Sequence, residues 1–365
     1  MTSSASGART RAQFLRSCLA LAVLVPIGVL FGQLWQTQSD QLSFAAKERN
    51  GIAYLNSLSQ VTIALTDAQS AAVSGGTVDQ NALARAVDAA SAIDQRLGGE
   101  LRTNDRWSGL RAKIEALPST ASDPHASYTA YGEVTDLLLA LYGKVRENSQ
   151  LIRDPDGDTY FLQDGAAEEL PEAVIAAGRF TDLVVMANAE PHQDHQQEAL
   201  SGLAAARQDV LDPAGDLTDD LQSAVDSTNS RNLGGNLLSR LDRLNRSMDT
   251  LAASAGTLDG EDALPRADQV KAARTEVQAA ATDLSTAILA ELDTQIAQRA
   301  DGLRTQRWIS IGAVALAILL AVTPAIAALT GRRRRQPTPS GGGMTGVHGV
   351  PATVPTEWER AGAAR

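Results

Sequence analysis

Reduced to apolar and polar positions, the chain reads as helix after helix. Two runs have no polar face at all. From Ser17 to Ser39 no residue is charged, and its centre, "LALAVLVPIGVLFGQLW", is almost wholly apolar. "WISIGAVALAILLAVTPAIAALTG", Trp308 to Gly331, is likewise free of charge. Each is long enough to cross a hydrocarbon core, which takes about 20 residues. Pro26 and Pro324 lie inside these runs and are tolerable in membrane helices. Between the runs the pattern turns amphipathic. Tyr131, Val134, Leu138, Leu141 and Val145, then polar Asn148 and apolar Ile152, follow one another at alternating spacings of three and four, a heptad seam. Asn148 is placed either to fix the register of that seam or simply to close it in solvent. Asp123 is a natural N-cap for this helix, and Pro124 fits its first position.

A similar seam runs through Val277, Leu284, Ile288, Leu292, Ile296 and Leu303. No breaker separates it from the second apolar run, so one helix is expected from about Asp268 to Thr330, on the order of 90 Å long at 1.5 Å per residue. The first run continues in the same way through Leu42, Ile52, Leu55, Leu58, Leu65 and Ala72. The two membrane helices should therefore extend as inner pillars of the region between them. Breakers divide the rest. "SGGT" (74–77) predicts a turn, with a capping box from Thr77 to Gln80. Gly98 and Gly99 are expected to end the next helix, and "LPSTASDP" (117–124), "LDPAGD" (211–216) and "GTLDGEDALP" (256–265) to be loops. No sustained period-two run of β-branched residues predicts a strand. The fold class expected is all-α: an elongated antiparallel helical bundle outside the membrane, flanked by two transmembrane helices.

Charge orients this picture. Arg9, Arg11 and Arg16 precede the first apolar run and Arg332 to Arg335 follow the second, so the positive-inside rule puts both termini in the cytoplasm. The expected organisation is a basic cytoplasmic N-terminus (1–16), a first transmembrane helix (17–39), an extracytoplasmic helical domain (40–306), a second transmembrane helix (307–331) and a cytoplasmic tail (332–365). Trp35 and Trp308 then both fall at the outer interface, where indoles are favoured. The whole chain carries −11; the two ends contribute +3 and +4, which leaves −18 for the segment between. Such an acidic domain repels nucleic acid, and nucleic-acid binding is excluded. The only cysteine is Cys18, inside the first run, so the domain is built without disulfides. After the arginines, the proline- and glycine-rich tail has almost no core-forming residues and is expected to be disordered.

Candidate chemistry starts at "LIRDPDGDTYFLQD" (151–164), where Asp154, Asp156 and Asp158 alternate as in a calcium loop. Counted from Asp154, however, the sixth position is Thr159 and the twelfth is Gly165, so the glycine turn and the bidentate glutamate of an EF-hand are both missing. The stretch reads better as a corner. Pro155 disfavours helix at Asp154, and Asp156 or Asp158 caps a new helix that opens with Tyr160. His192 and His195, three apart in "EPHQDHQQE", have a spacing that a transition metal accepts, although a solvated acidic helix start explains them first. Arg49, Arg153 and Arg179 are candidates for binding a carboxylate or nitrate, each read as half of a surface ion pair before a ligand contact. No nucleophile elbow, phosphate loop or cysteine outside the apolar runs supports catalysis, so no enzyme and no cofactor is expected.

Three motifs resemble, in order, the ectodomains of membrane-bound bacterial sensors, namely methyl-accepting chemotaxis receptors and related sensor histidine kinases. "LIRDPDGDTYFLQD" is similar to their Asp-Pro-Asp, Asp-x-Tyr-aromatic-Leu corner, through Asp154, Pro155, Asp156, Asp158 and Tyr160. "KERNGIAYLNSL" (47–58) is similar to their Glu-x-x-Gly-x-x-Tyr pattern, through Glu48, Gly51 and Tyr54. "ELPEAVIAAGRF" (169–180) is similar to a following Leu-Pro helix, through Leu170, Pro171 and Gly178. The resemblance implies a sensor fold, a membrane setting and a homodimer, with a signalling partner in the membrane and a small-molecule ligand as further expectations. It implies no ligand-contacting residue, because the matched positions are structural. In those sensors a relay and a signalling or kinase domain follow the second span, whereas this sequence continues into the disordered tail. The alternative function is a cell-envelope scaffold presenting an acidic bundle to partner proteins.

Overall fold

Why the backbone coils where it does is clearest at the helix ends. In the computed structural model, which describes residues 4–117, 123–151, 157–189, 196–227, 231–254 and 266–333, every regular element is helical and the described residues contain no strand. The elements are α1 (Ser4–Val73), α2 (Gln80–Leu101), α3 (Asn104–Glu115), α4 (Pro124–Asn148), α5 (Gly157–Asp164), α6 (Leu170–Ala189), α7 (Gln196–Ser227), α8 (Arg231–Ser254) and α9 (Ala267–Arg333). A π-helical turn, Gly165–Glu169, joins α5 to α6 without a break. The predicted turn after α1 is present, and Gly75 takes the φ of +69° that an L-residue resists. The Asp123 carboxylate accepts the His125 N–H at 3.1 Å, capping α4 as expected.

Three sequence expectations are corrected. The N-cap of α2 is Asp79, which accepts from the Ala82 N–H at 2.9 Å; Thr77 lies two residues ahead of it. Gly98 and Gly99 do not end α2. A Cβ on Gly98 would collide with the side chains of Asp94 and Asn104, so this glycine makes room inside the helix. The helix stops instead at Arg102, which adopts left-handed φ 53° and ψ 42°. Its neighbour Thr103 donates its N–H to Gly98 O at 3.0 Å, and Asn148 Nδ2 donates to Leu101 O at 2.7 Å. Asn148 thus serves the end of α2 from the end of the α4 seam. Pro213 lies inside α7, where "LDPAGD" was expected to loop. Leu203, Val210, Leu217 and Leu221 keep one buried face on both sides of it, and that packing outweighs the one hydrogen bond a proline removes.

The chain separates into two compact units, residues 28–311 and the two terminal segments 1–27 with 312–365. In the larger unit, the predicted seam of α4 is buried at Tyr131, Val134, Leu138, Leu141 and Val145, and that of α9 at Val277, Leu284, Ile288, Leu292 and Ile296. Helix α6 is buried on nearly all sides, with Leu170, Val174, Phe180 and Val184 among its interior residues, and so occupies the middle of the unit. It packs on α4 and α7; α7 also packs on α5 and α8, and α3 on α2 and α4. Fully burying a leucine or phenylalanine stabilises by about 1.5–3 kcal/mol, and more than twenty such residues belong to one continuous core.

Exposure marks the opposite behaviour. Val25, Val29, Leu30 and Leu34 of α1 are exposed, as are Trp308, Ile309, Leu316, Leu319 and Leu320 of α9. Among the described residues one helix, α9 over Ala267–Thr323, is long and apolar enough to cross a membrane, judged by length and composition, and none of its apolar stretch is buried.

Candidate functional site

A cavity of about 520 Å³ opens between α1, α2, α4, α6, the π turn and α9. Small residues create the space. Ala82 and Ala86 on α2, Ala64 on α1 and Ala281 on α9 face it, so three helices approach without filling the gap between them. Ile63, Leu170, Pro171 and Val174 supply apolar wall, and Thr62, Tyr142, Asp67 and Arg85 supply polar groups. Its volume and mixed lining match those of small-molecule sites. The Thr62 hydroxyl donates to Leu58 O at 3.0 Å, so the Tyr142 hydroxyl, 3.0 Å away, is the donor of the bond between them. Burial raises the Tyr142 phenol and keeps it protonated. Asp67 Oδ1 accepts from Arg274 Nη2 at 2.8 Å and from Gln278 Nε2 at 2.9 Å.

Two of the three sequence motifs lie wholly within the described residues, one on α1 and one across the π turn and the start of α6. Glu48, Gly51 and Tyr54 lie three apart along one side of α1. Glu48 is wholly buried, accepts from Gln163 Nε2 of α5 and pairs with Arg299 of α9. At Gly51, an added Cβ would collide with the Cβ of Ser149, the residue that caps α4. Tyr54 donates to Asp94 Oδ1 at 2.8 Å, and Thr103 and Asn104 also donate to this buried carboxylate, at 2.7 and 2.9 Å. The motif therefore ties α1 to α9, to the end of α4 and to the α2–α3 corner. Leu170 and Pro171 line the cavity directly. Gly178 brings α6 within 3.5 Å of Thr66 on α1, measured from an added Cβ.

Asp154, Pro155, Asp156 and Arg153 lie outside the described residues, as do His192 and His195. Helix α5 begins at Gly157 and contains Asp158; Tyr160 is half-buried, with its ring edge-on to Phe161 at 5.3 Å. Of the candidate arginines, Arg49 forms a two-pronged pair with Asp293 of α9, at 2.6 and 3.1 Å. Arg179 donates to Asp136, Thr135 and the Gly132 carbonyl of α4, and borders a second cavity of about 440 Å³ between α4, α6 and α7. The structure brings neither to the 520 Å³ cavity.

Acidic groups gather at the π turn. Carboxylate oxygens of Asp164, Glu168 and Glu169 lie within 4.8 Å of one another, a spacing a divalent cation accepts. Arg146 of α4 already pairs with both Asp164 and Glu168, so the guanidinium does there what a cation would do. Burial pushes Glu169 up to about 7, helped by the negative charges of Asp164 and Asp220, and burial with neighbouring acids raises Asp220 to about 6. On α6, burial lifts Asp182 to about 6 although Ser70 and Gln69 of α1 hydrogen-bond it.

Sequence reasoning missed Arg85, Tyr142 and the Asp94 hub. The available signal was the recurrence of alanine at facing helix positions, which marks a void as readily as a tight contact. The chain matches no protein-family model, no curated protein and no solved structure.

Proposed function

We propose that this chain is a membrane-anchored sensor module of the chemoreceptor and histidine-kinase ectodomain type. In this reading both termini are cytoplasmic, and residues 40–306 form an antiparallel bundle outside the membrane between two transmembrane helices. One observation carries the proposal: the two helices that bear the apolar runs, α1 and α9, also form walls of the 520 Å³ cavity. Anything that fills the cavity presses on both. Glu48–Arg299, Arg49–Asp293 and Asp67–Arg274 join these helices at successive levels, so their relative position is set by a ladder of discrete contacts. Such a ladder favours a shift between packed states over continuous bending. A small displacement of α1 against α9 would pass to a membrane signalling partner, with a homodimer as the working unit. The role is binding and relay, with no catalytic step.

Topology and sensing are tested separately. In a Cys18→Ser background, a membrane-impermeant maleimide should label Ser108→Cys on intact cells and spare Ser340→Cys until the membrane is opened. The reverse pattern sinks the membrane arrangement. A thermal-shift screen of the full chain against a broad metabolite set should find a stabilising compound; if no chemical class stabilises it, the sensing half fails.

A further inference from the structure

We propose that the 520 Å³ cavity takes a small monocarboxylate with an apolar body, its carboxylate held by Arg85. This rests on the sensor reading and names the ligand class of the site. The charges around the cavity lead to it. Only two charged residues line it, Asp67 and Arg85. The Asp67 carboxylate is already met by Arg274 and Gln278. Arg85 is exposed, and among the described residues no carboxylate pairs with it. An exposed residue that also lines the cavity sits at its mouth. The cavity therefore presents one uncompensated positive charge, in a region that is otherwise strongly acidic. A guanidinium in this state is a fork for a carboxylate, which it binds through two parallel hydrogen bonds.

The walls select the rest of the molecule. Ile63, Ala86, Leu170 and Val174 give an apolar surface behind the mouth. Most of the hydroxyl protons there are already spent: Ser59, Thr62 and Thr282 each donate to a carbonyl of their own helix, at 2.9, 3.0 and 2.7 Å, which leaves Ser285. Tyr142 in turn donates to Thr62. A second anionic group reaching inward would find few donors and would face Asp67. A dicarboxylate or a phosphate-bearing ligand is therefore disfavoured, because a buried acceptor left without a partner loses its hydration with nothing in return. An apolar body with one acid group suits both ends.

The test uses the full chain in lipid nanodiscs and isothermal titration calorimetry with 3-phenylpropanoate and 4-methylpentanoate, each beside its neutral amide. At least one acid should bind at least tenfold tighter than its amide, and Arg85→Gln should bring acid and amide to equal affinity. Ala64→Phe, which narrows the cavity from the α1 wall, should abolish binding; should that variant misfold, the comparison at Arg85, an exposed position, stands by itself. The proposal is overturned if neither acid binds, if acid and amide bind alike, or if Arg85→Gln leaves the preference intact. Failure here, with another chemical class stabilising the chain in the thermal screen, removes the carboxylate and keeps the sensor. Reversed maleimide labelling removes the membrane arrangement and leaves the calorimetry readable.

Discussion

The α1–α9 seam and the face where the π turn meets α7 manage their carboxylates in opposite ways. Along the seam each acid has its own base: Glu48 meets Arg299, Asp67 meets Arg274 and Asp293 meets Arg49. At the π turn Asp164 and Glu168 share Arg146, while Asp220 and Glu169 each keep a buried oxygen that no described group bonds. The seam is matched one to one and should hold its register at neutral pH. The π-turn face carries an excess of negative charge, relieved most simply by keeping a proton. One helical unit thus contains a stiff side and a side whose stability follows pH.

The sharpest way to break the comparison is Arg299→Ala, which leaves the wholly buried Glu48 carboxylate without its guanidinium. Removing one partner of a buried pair costs about 3–5 kcal/mol, and Gln163 should hold the loss near the lower end; chemical denaturation of the full chain in detergent measures it. Gly51→Ala comes next. Its methyl group meets Ser149 Cβ, and forced overpacking costs about 1–3 kcal/mol. The double variant Gly51→Ala, Ser149→Gly should recover most of that loss, and a double-mutant cycle without coupling would show that the contact is not what constrains the glycine.

Third, the π-turn face should respond to pH. Glu169 has a folded value of about 7, above the ordinary 4.5. The folded state then holds a proton that the unfolded chain releases, so stability falls as pH rises from about 4.5 towards 7 and stays lower above that. Glu169 faces Asp164, Asp220 and Arg146, and only partial burial separates it from water, which discounts the effect to about 1 kcal/mol. Glu169→Gln should raise the melting temperature at pH 8 and leave it unchanged at pH 4; a variant with the same pH slope as the parent would move the effect to Asp220 or Asp182. The smallest expected effect is that of Arg49→Ala. Its pair with Asp293 is nearly half exposed on both sides, and such pairs contribute about 0–1 kcal/mol. A loss as large as that of Arg299→Ala would erase the distinction between buried and exposed rungs of the seam.

What could be read from the sequence follows from how local the cause was. The cap at Asp123, the turn at Gly75 and the seams of α4 and α9 depend on residues within a few positions of one another, and each is where the pattern put it. Gly98 and Pro213 mislead because breaker rules assume an isolated helix. Here Asp94 and Asn104 need the space beside Gly98, and α7 keeps one buried face on both sides of its proline. The cavity was not legible for the same reason on a larger scale. Thr62, Arg85, Tyr142 and Val174 come from four helices, and no spacing rule joins them. Glu48 stands out in the sequence only as a motif position, and its partner Arg299 is too far along the chain for any spacing rule to find.

That last pairing has a consequence for biosynthesis. Glu48 and Arg299 are separated by 251 positions, and Arg49 and Asp293 by 244. When α1 leaves the ribosome, the arginine that must neutralise its hidden glutamate has not been translated, and contacts of such separation form late. The nascent chain must keep that acid hydrated until α9 arrives, so one of the latest segments to be synthesised completes one of the earliest.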